Sequence, residues 1–243
     1  MNKNVLITGS SKGIGKSIAK ILAKYNHNVY LCARNEDALQ KAIAETGAKG
    51  YFVIDLTNPN ACSDLFENFI KKVGTIDVLV NNAGSYTYAP IEQTKIEDIK
   101  EIIKLNIETP YLLTQMATKE MKKQKWGRII NIGSISGVVG EANASLYSMT
   151  KSAYIGFTKA LALELAQDNI TVNTIHPGWV DTDLAQDAIE KSDFSQQEEL
   201  EMIPQRRFIH PDEIAELVSY LISDSAKGLT GQNINLCAGL SVG

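Results

Sequence analysis

Cysteine and histidine are scarce in this chain, and their scarcity argues against two kinds of structural site. The three cysteines are odd in number, far apart and without C-x-x-C spacing, so a disulfide framework is not expected. The three histidines are equally scattered, whereas zinc ligands usually come in closely spaced pairs. We therefore expect a reducing compartment and no metal site.

Long apolar runs and an excess of charge of one sign are also missing. No stretch reaches the roughly 18 uninterrupted apolar residues of a membrane span, and no secretory apolar segment lies near the start. The 24 basic and 28 acidic residues nearly balance, which leaves no broad basic surface for nucleic acid. We expect a cytoplasmic protein that binds neither membranes nor nucleic acid.

What the sequence does contain is a regular alternation of two patterns. Short β-branched runs alternate with amphipathic helical segments, and no linker or internal repeat interrupts them. The predicted strands are 4–8, 28–32, 50–54, 76–80, 128–132, 170–175 and 232–236. This pattern predicts an α/β fold, a doubly wound parallel seven-stranded sheet with helices on both faces. One domain over 1–243 is the simplest organisation, although the length also fits two small domains.

The first strand runs into "TGSSKGIG", and a helical pattern follows directly. Glycines there let the backbone turn sharply, and a helix start offers free N–H groups and a positive dipole end to phosphate. A glycine-rich motif alone is weak evidence, but its place at the first strand–helix junction strengthens it. We predict that Gly9, Ser11, Gly13, Ile14 and Gly15 hold a dinucleotide diphosphate.

Arg34 ends the second strand, where an NAD-binding fold commonly has a carboxylate on the ribose hydroxyls. A surface arginine is usually just a solvated charge. A 2′-phosphate, however, requires cationic donors, and Lys12 in the glycine turn can supply a second one. Together they favour NADP(H) over NAD(H).

Two further turns follow the third and fourth strands. Asp55, followed by Leu56, could accept the adenine amino group, or it could cap the next helix, for which Thr57 and Asn58 are also suitable. The "NNAG" turn places Asn81, Ala83 and Gly84 against a flat ligand, or it serves only to make the turn.

Ser134 ends the fifth strand, and Tyr147 stands four residues before Lys151 on one predicted helix face. A nearby ammonium and an oxidised nicotinamide would both favour the phenolate, bringing the pKa of Tyr147 toward working pH. Ser134 can hydrogen-bond a substrate oxygen, and Lys151 can reach ribose hydroxyls. The three residues predict proton exchange with a carbonyl or an alcohol.

Taken in order, these motifs resemble the short-chain dehydrogenases/reductases over essentially the whole chain. They are T-G-x-x-x-G-x-G at 8–15, N-N-A-G at 81–84, Ser134, Y-x-x-x-K at 147–151, and the P-G of 177–178 leading to Thr182. The resemblance implies a Rossmann-type fold with Ser134, Tyr147, Lys151 and Asn106 as the catalytic set, Asn106 supporting a proton relay. It further implies nicotinamide-side contacts from Pro177, Gly178, Val180 and Thr182, and homotetramers through the helices at 96–123 and 146–167. From the residues alone, those long helices could equally be thick core packing.

Within that family the chain is most similar to β-ketoacyl-[acyl-carrier-protein] reductases and polyketide ketoreductases, on "GRIINIGSISG", "GFTKALALELA" and "ITVNTIHPGWVDTDL". The resemblance implies NADPH-dependent reduction of a ketone to a secondary alcohol, and the expected substrate is a 3-oxoacyl thioester such as that carried by acyl carrier protein. Carrier-protein reductases of this type tend to have basic residues at two places, before the fifth strand and in the turn after the catalytic helix. The first place has them here, and the second does not: they are Lys122, Lys123, Lys125 and Arg128 at the first, against Gln167, Asp168 and Asn169 at the second. Two alternatives remain open: an NAD(P)-dependent dehydrogenase of a small alcohol, sugar or hydroxy acid, and a non-catalytic NADP(H)-binding regulator.

The polar segment 182–205 follows the sixth predicted strand. Its length fits a substrate lid, and a plain surface excursion is the competing interpretation. The sequence does not specify the walls of the substrate pocket, which this segment would supply.

Overall fold

The computed structural model describes residues 2–190 and 195–242. Seven parallel strands form one sheet in the order β3-β2-β1-β4-β5-β6-β7. The strands are β1 (Asn4–Thr8), β2 (Asn28–Ala33), β3 (Gly50–Val53), β4 (Val78–Asn81), β5 (Gly127–Ile132), β6 (Ile170–Pro177) and β7 (Asn233–Leu236). The predicted fold class is confirmed, with strand limits shifted by no more than two residues.

Ten α-helices connect and follow the strands in the described residues. They are α1 (Gly13–Lys24), α2 (Glu36–Thr46), α3 (Ala61–Val73), α4 (Ile96–Ile103), α5 (Thr109–Gln124), α6 (Ser136–Val139), α7 (Ser145–Leu165), α8 (Asp183–Ile189), α9 (Gln196–Met202) and α10 (Pro211–Leu221). The helix predicted at 96–123 is α4 and α5 joined by a π turn, Lys104–Glu108. The helix predicted at 146–167 is α7 with a short 3-10 turn, Ala166–Asp168, at its end.

Two apolar cores lie on opposite faces of the sheet, because successive strand side chains point to opposite sides. In β1, Val5 and Ile7 join the core formed with α1, α2 and α10, whereas Leu6 joins the core formed with α3, α5 and α7. Every residue of β5 and β6 is buried, as expected for central strands of a parallel sheet.

The strand order reverses direction between β1 and β4. From β1 the chain passes to β2 and β3 on one side, then crosses back to β4 on the other. Such a switch point leaves a crevice beyond the carboxyl ends of the strands, where ligands bind in open α/β sheets.

The segment 182–205 forms α8 and α9, with residues 191–194 outside the described part. Over residues 2–190 and 195–242, no helix is long and apolar enough to cross a membrane. The same residues contain no cluster of His, Cys, Asp and Glu that could hold a metal ion.

Candidate active site

A cleft of about 530 Å³ lies at the switch point. The predicted site residues that line it are Gly9, Ser11, Lys12, Gly13, Ile14, Arg34, Asp55, Leu56, Ala83, Gly84, Tyr147, Lys151 and Thr182. The glycine turn, the strand-end residues and the start of α7 are therefore brought together in one crevice.

The turns after β1 and β4 are clasped together by side chains. The Asn82 amide donates to the carbonyl oxygens of Thr8 (2.8 Å) and Gly9 (2.9 Å), and the Thr8 hydroxyl accepts from the backbone N–H groups of Asn82 and Ala83, both at 3.0 Å. Gly9 has a φ of 63°, and a Cβ there would stand 2.8 Å from the Ala83 Cα. Glycine is required at this position by both conformation and contact. Asn82, which the sequence analysis did not assign, ties the two turns together.

Gly15 and Asn81, the two other predicted residues of these turns, are packed against protein atoms and do not line the cleft. A Cβ on Gly15 would meet the Gly9 carbonyl oxygen at 2.6 Å, so this glycine lets α1 pack beneath the turn. The Asn81 amide is buried and donates to Asn131 Oδ1 (2.9 Å) and Thr114 Oγ1 (3.0 Å). Their side-chain positions are taken up by protein packing, and the predicted contacts of Gly15 and Asn81 with the cofactor stay a prediction.

Pro177, Gly178 and Val180 also lie outside the cleft lining. A Cβ on Gly178 would come within 2.9 Å of the Cys237 Cα, and Val180 pairs with Ile209 in an isolated parallel bridge. Gly178 thus packs against the C-terminal segment at Cys237, and Val180 against the segment that precedes α10. The predicted contacts of the three residues with the nicotinamide half stay a prediction.

Arg34 and Lys12, the two positive charges predicted to contact the 2′-phosphate, differ in whether they have a charged partner. The Arg34 side chain is exposed, and in the described part of the chain no hydrogen bond or ion pair engages its guanidinium. Lys12 Nζ instead lies 3.2 Å from Asp183 Oδ2 of α8, across the cleft. No acidic side chain stands in the first turn of α1, so the free N–H groups of that helix face an anion without competition.

Asp55 does not cap a helix. Its Oδ1 accepts from the Thr57 backbone (3.0 Å) and from the Thr57 hydroxyl (2.7 Å), and these bonds lower its pKa. Helix α3 begins only at Ala61, preceded by Asn60 with a φ of 65°. The alternative expectation of a cap at Asp55, Thr57 or Asn58 is therefore wrong, since the chain makes a local turn before the helix.

At the opposite end of the cleft, Tyr147 and Lys151 lie on the first turns of α7. Burial is the main cause that raises the pKa of Tyr147 to about 12; a hydrogen bond from Ser134 opposes it and the charge of Glu141 adds to it. The sequence predicts that the Lys151 ammonium and an oxidised nicotinamide together lower this pKa. In the structure desolvation dominates, and the phenol is protonated at neutral pH.

The Lys151 ammonium is only 4% exposed and donates to the Ile132 carbonyl at 2.9 Å. Burial lowers its pKa to about 8, so the charged form is held at a cost in a nearly dry position. Its Nζ lies 5.7 Å from the centre of the Tyr147 ring.

Asn106 is fully buried in the π turn between α4 and α5. Its Oδ1 accepts from the Ser85 N–H (2.9 Å), and its Nδ2 donates to the Ser85 carbonyl (3.0 Å) and the Thr150 hydroxyl (3.1 Å). A Cβ on Gly84 would lie 3.2 Å from Asn106 Oδ1 and 3.5 Å from Lys151 Nζ. Asn106 of the π turn and Lys151 of α7 therefore both lie next to Gly84.

His176 is a buried residue that the sequence analysis did not assign. Its Nδ1 lies 3.1 Å from the Ser134 carbonyl and its Nε2 lies 3.0 Å from the Asn233 amide. Burial is the main cause that lowers the pKa of His176, and the neutral ring donates from one nitrogen only, either to the Ser134 carbonyl or to Asn233 Oδ1. The ring supports the backbone of Ser134 from below, and its only sequence signal was its place before the Pro-Gly pair.

Comparisons with known proteins agree with this geometry. The model of the short chain dehydrogenase family matches residues 3–193. The chain belongs to the short chain dehydrogenase family. Members of this oxidoreductase family bind a nicotinamide cofactor. The residues of the cleft fit such a group, because the glycine turn, the unbonded N–H groups at the start of α1 and Arg34, which has no partner among the described residues, suit phosphates.

Relatives of the family cover nearly the whole chain. It is 37% identical over 241 residues to a 3-oxoacyl-[acyl-carrier-protein] reductase of Aquifex aeolicus, covering 97% of this chain and 96% of the relative. It is 35% identical to a putative ketoacyl reductase of the granaticin polyketide synthase of Streptomyces violaceoruber, covering 97% and 92%. A crystal structure of an actinorhodin polyketide ketoreductase variant with NADPH superposes with a TM-score of 0.94 at 34% identity, covering 98% and 97%.

Proposed function

We propose that this protein reduces a ketone to a secondary alcohol with NADPH. The observation that carries the proposal is the half-buried phenol of Tyr147 beside Ser134 and Lys151, at one end of a cleft of about 530 Å³. A general acid must be protonated before it donates, as a tyrosine is at neutral pH, and the nearby positive charge of Lys151 favours the phenolate that the transfer leaves.

The residues divide the work as follows. The bound cofactor supplies the hydride. Ser134 orients the ketone by a hydrogen bond to its oxygen, and Tyr147 gives that oxygen a proton. Lys151 holds ribose hydroxyls, and its positive charge favours the phenolate that remains. Asn106 fixes Ser85 and Thr150 around Lys151 and supports the return of a proton.

NADP(H) is the preferred cofactor in this proposal. Arg34 is exposed and unpaired among the described residues, and it lies near enough to Asp55 to lower the pKa of that carboxyl. A guanidinium in that position suits a 2′-phosphate. Lys12 adds a second cation if it exchanges Asp183 for the phosphate.

A 3-oxoacyl thioester is the first candidate substrate, supported by the names of the relatives. A specific observation favours a second candidate, a small ketone that no carrier delivers. Asp168 forms ion pairs with both Lys125 and Lys122, the latter at 3.7 Å, and so offsets the basic cluster expected to meet an acidic carrier. Arg128 is buried against Trp126 and is not presented to a partner.

We further propose that segment 182–205 acts as a substrate lid and that the chain assembles into homotetramers in the cytoplasm. Leu184 and Asp187 of α8 already border the cleft. The long helices leave Tyr111 and Leu163 exposed, the latter by 83%, which suits a contact between subunits.

A substrate panel tests the proposed function. NADPH oxidation is followed with the same 3-oxoacyl group on acyl carrier protein, on coenzyme A and on a short thiol, and with small ketones. Turnover of any ketone supports reduction, and the ranking selects the carrier. Binding of NADPH without turnover across the panel would favour the regulator, and turnover of alcohols with NAD alone would favour the dehydrogenase.

A further inference from the structure

A chain of hydrogen bonds leads away from Tyr147 through Ser134 and Ser136 to Glu141. Ser134 lies within hydrogen-bonding reach of Tyr147, and its hydroxyl donates to Ser136 Oγ at 3.2 Å. Ser136 donates in turn to Glu141 Oε2 at 2.5 Å. The other carboxylate oxygen of Glu141 accepts from the Tyr86 hydroxyl, also at 2.5 Å. The chain closes on its starting point, because the Tyr86 ring packs edge-on against the Tyr147 ring at 4.9 Å.

The directions of these bonds follow from the end group. An ionised carboxylate only accepts, so both Ser136 and Tyr86 must give their protons to Glu141. Ser136 is then left with acceptor capacity for Ser134, while the Ser136 backbone N–H donates to Ser134 Oγ at 3.2 Å. The Ser134 oxygen is therefore held by Glu141, two links away, and its proton, which lies toward Ser136 in this structure, turns to the ketone oxygen when a ketone binds.

We propose that Glu141 is a positioning residue of this active site, which holds the Ser134 hydroxyl through Ser136 and the Tyr86 ring against Tyr147. The inference rests on the proposed ketone reduction and deepens it. Glu141 stands between α6 and α7, outside the lining of the cofactor cleft.

The charge of Glu141 has a second consequence for the same phenol. The groups that face Tyr147 are Lys151 and Tyr154 on α7, Tyr86 after β4, Ser134 after β5, and Glu141 itself; Glu199 of α9 faces Glu141. The negative charges favour the protonated phenol, whereas Lys151 favours the phenolate. Loss of the charge at Glu141 must then lower the pKa of Tyr147.

Two variants separate position from charge. Glu141→Gln removes the charge and disturbs the hydrogen bonds, whereas Ser136→Ala breaks the link to Ser134 and keeps the charge. Glu67→Gln, an exposed change on α3, is the matched control. Because hydrogen bonds to charged groups are strong, we expect kcat for ketone reduction to fall about tenfold in both active-site variants, with KM for NADPH unchanged.

The pH dependence distinguishes positioning from mere support of the fold. For alcohol oxidation, which needs the phenolate, Glu141→Gln should move the rising limb of kcat to lower pH, and Ser136→Ala should leave it in place. A titration of ¹³Cζ-labelled tyrosine, with the Tyr147 signal assigned from Tyr147→Phe, should show the same shift without any substrate. The proposal would be overturned if Glu141→Gln and the unaltered protein had the same kcat and the same titration of Tyr147.

The two proposals fail in different ways. If no ketone or alcohol is turned over, the proposed function fails, and the tyrosine titration still decides whether Glu141 controls Tyr147. If ketones are reduced but Glu141→Gln behaves like Glu67→Gln in kinetics and titration, only the role of Glu141 is refuted.

Discussion

At the scale of single residues, the proposed preference for NADP(H) depends on Arg34. Its guanidinium is exposed at the end of β2 and has no partner among the described residues. Charge-assisted bonds to a phosphate would be replaced by repulsion in Arg34→Asp, so we expect NADPH binding to weaken by roughly tenfold to a hundredfold.

Binding of NADH should change little in the same variant, because NADH lacks the 2′-phosphate. Lys41→Glu on α2 makes the same kind of charge reversal away from the cleft and should affect neither cofactor. Fluorescence titration of both dinucleotides measures the difference. Equal weakening of NADPH and NADH would remove the basis for NADP(H) preference.

Lys151, to which we assign a role in the reaction, lowers the stability of the fold. Its pKa is lowered by burial from 10.5 to about 8, so the native state binds a proton less readily than the unfolded chain. Below pH 8 this penalty is complete, and it disappears as pH rises toward 10.5. Lys151→Met should therefore raise the free energy of unfolding at neutral pH, by roughly 2 kcal/mol once the lost bond to Ile132 is included.

Thermal unfolding at several pH values tests this sign. The stability advantage of Lys151→Met should be largest at neutral pH and should shrink as pH rises toward 10.5. Lys159→Met, on the exposed side of the same helix, should show no such trend. An advantage that grows with pH would contradict the assignment of a buried ammonium.

At the scale of elements, the junction of the β1 and β4 turns sets the shape of the phosphate site. Gly9→Ala would place a methyl group 2.8 Å from the Ala83 Cα at a φ of 63°, so the turns must separate. We expect a loss of roughly 1 to 3 kcal/mol in the free energy of unfolding together with weaker dinucleotide binding. Gly228→Ala, with open space around its Cβ position, should be nearly neutral in both measurements.

Unchanged cofactor affinity in Gly9→Ala would show that the clasp between the two turns does not shape the cleft. Affinity and unfolding are measured on the same preparations, so a general loss of folding is recognised by comparison with the Gly228→Ala control.

At the scale of the whole molecule, the strands and the cleft could be predicted because each depends on local chemistry repeated along the chain. β-branched runs identify strands, and the carboxyl ends of parallel strands meet at one edge, so Gly9, Arg34 and Tyr147 had to converge. The structure does bring these three residues together in one cleft.

Other features depend on packing between distant segments and leave no local pattern. Asn81 and Asn82 are adjacent and chemically identical, yet one is buried beside Asn131 and the other clasps the glycine turn. The π turn around Asn106 interrupts a segment whose apolar spacing is simply helical. The contacts of Glu141 could not be predicted from the sequence for the same reason, since its partners Tyr86 and Ser136 lie in separate segments of the chain.

The kinetics of Tyr147→Phe test the central claim most directly. Removing one hydroxyl takes away the proton donor and leaves the cleft intact, so kcat for ketone reduction should fall by roughly a hundredfold to ten-thousandfold while the Kd for NADPH stays the same. Tyr220→Phe, an exposed change on α10, should behave like the unaltered protein. Retention of most of the ketone-reducing activity in Tyr147→Phe would contradict the account.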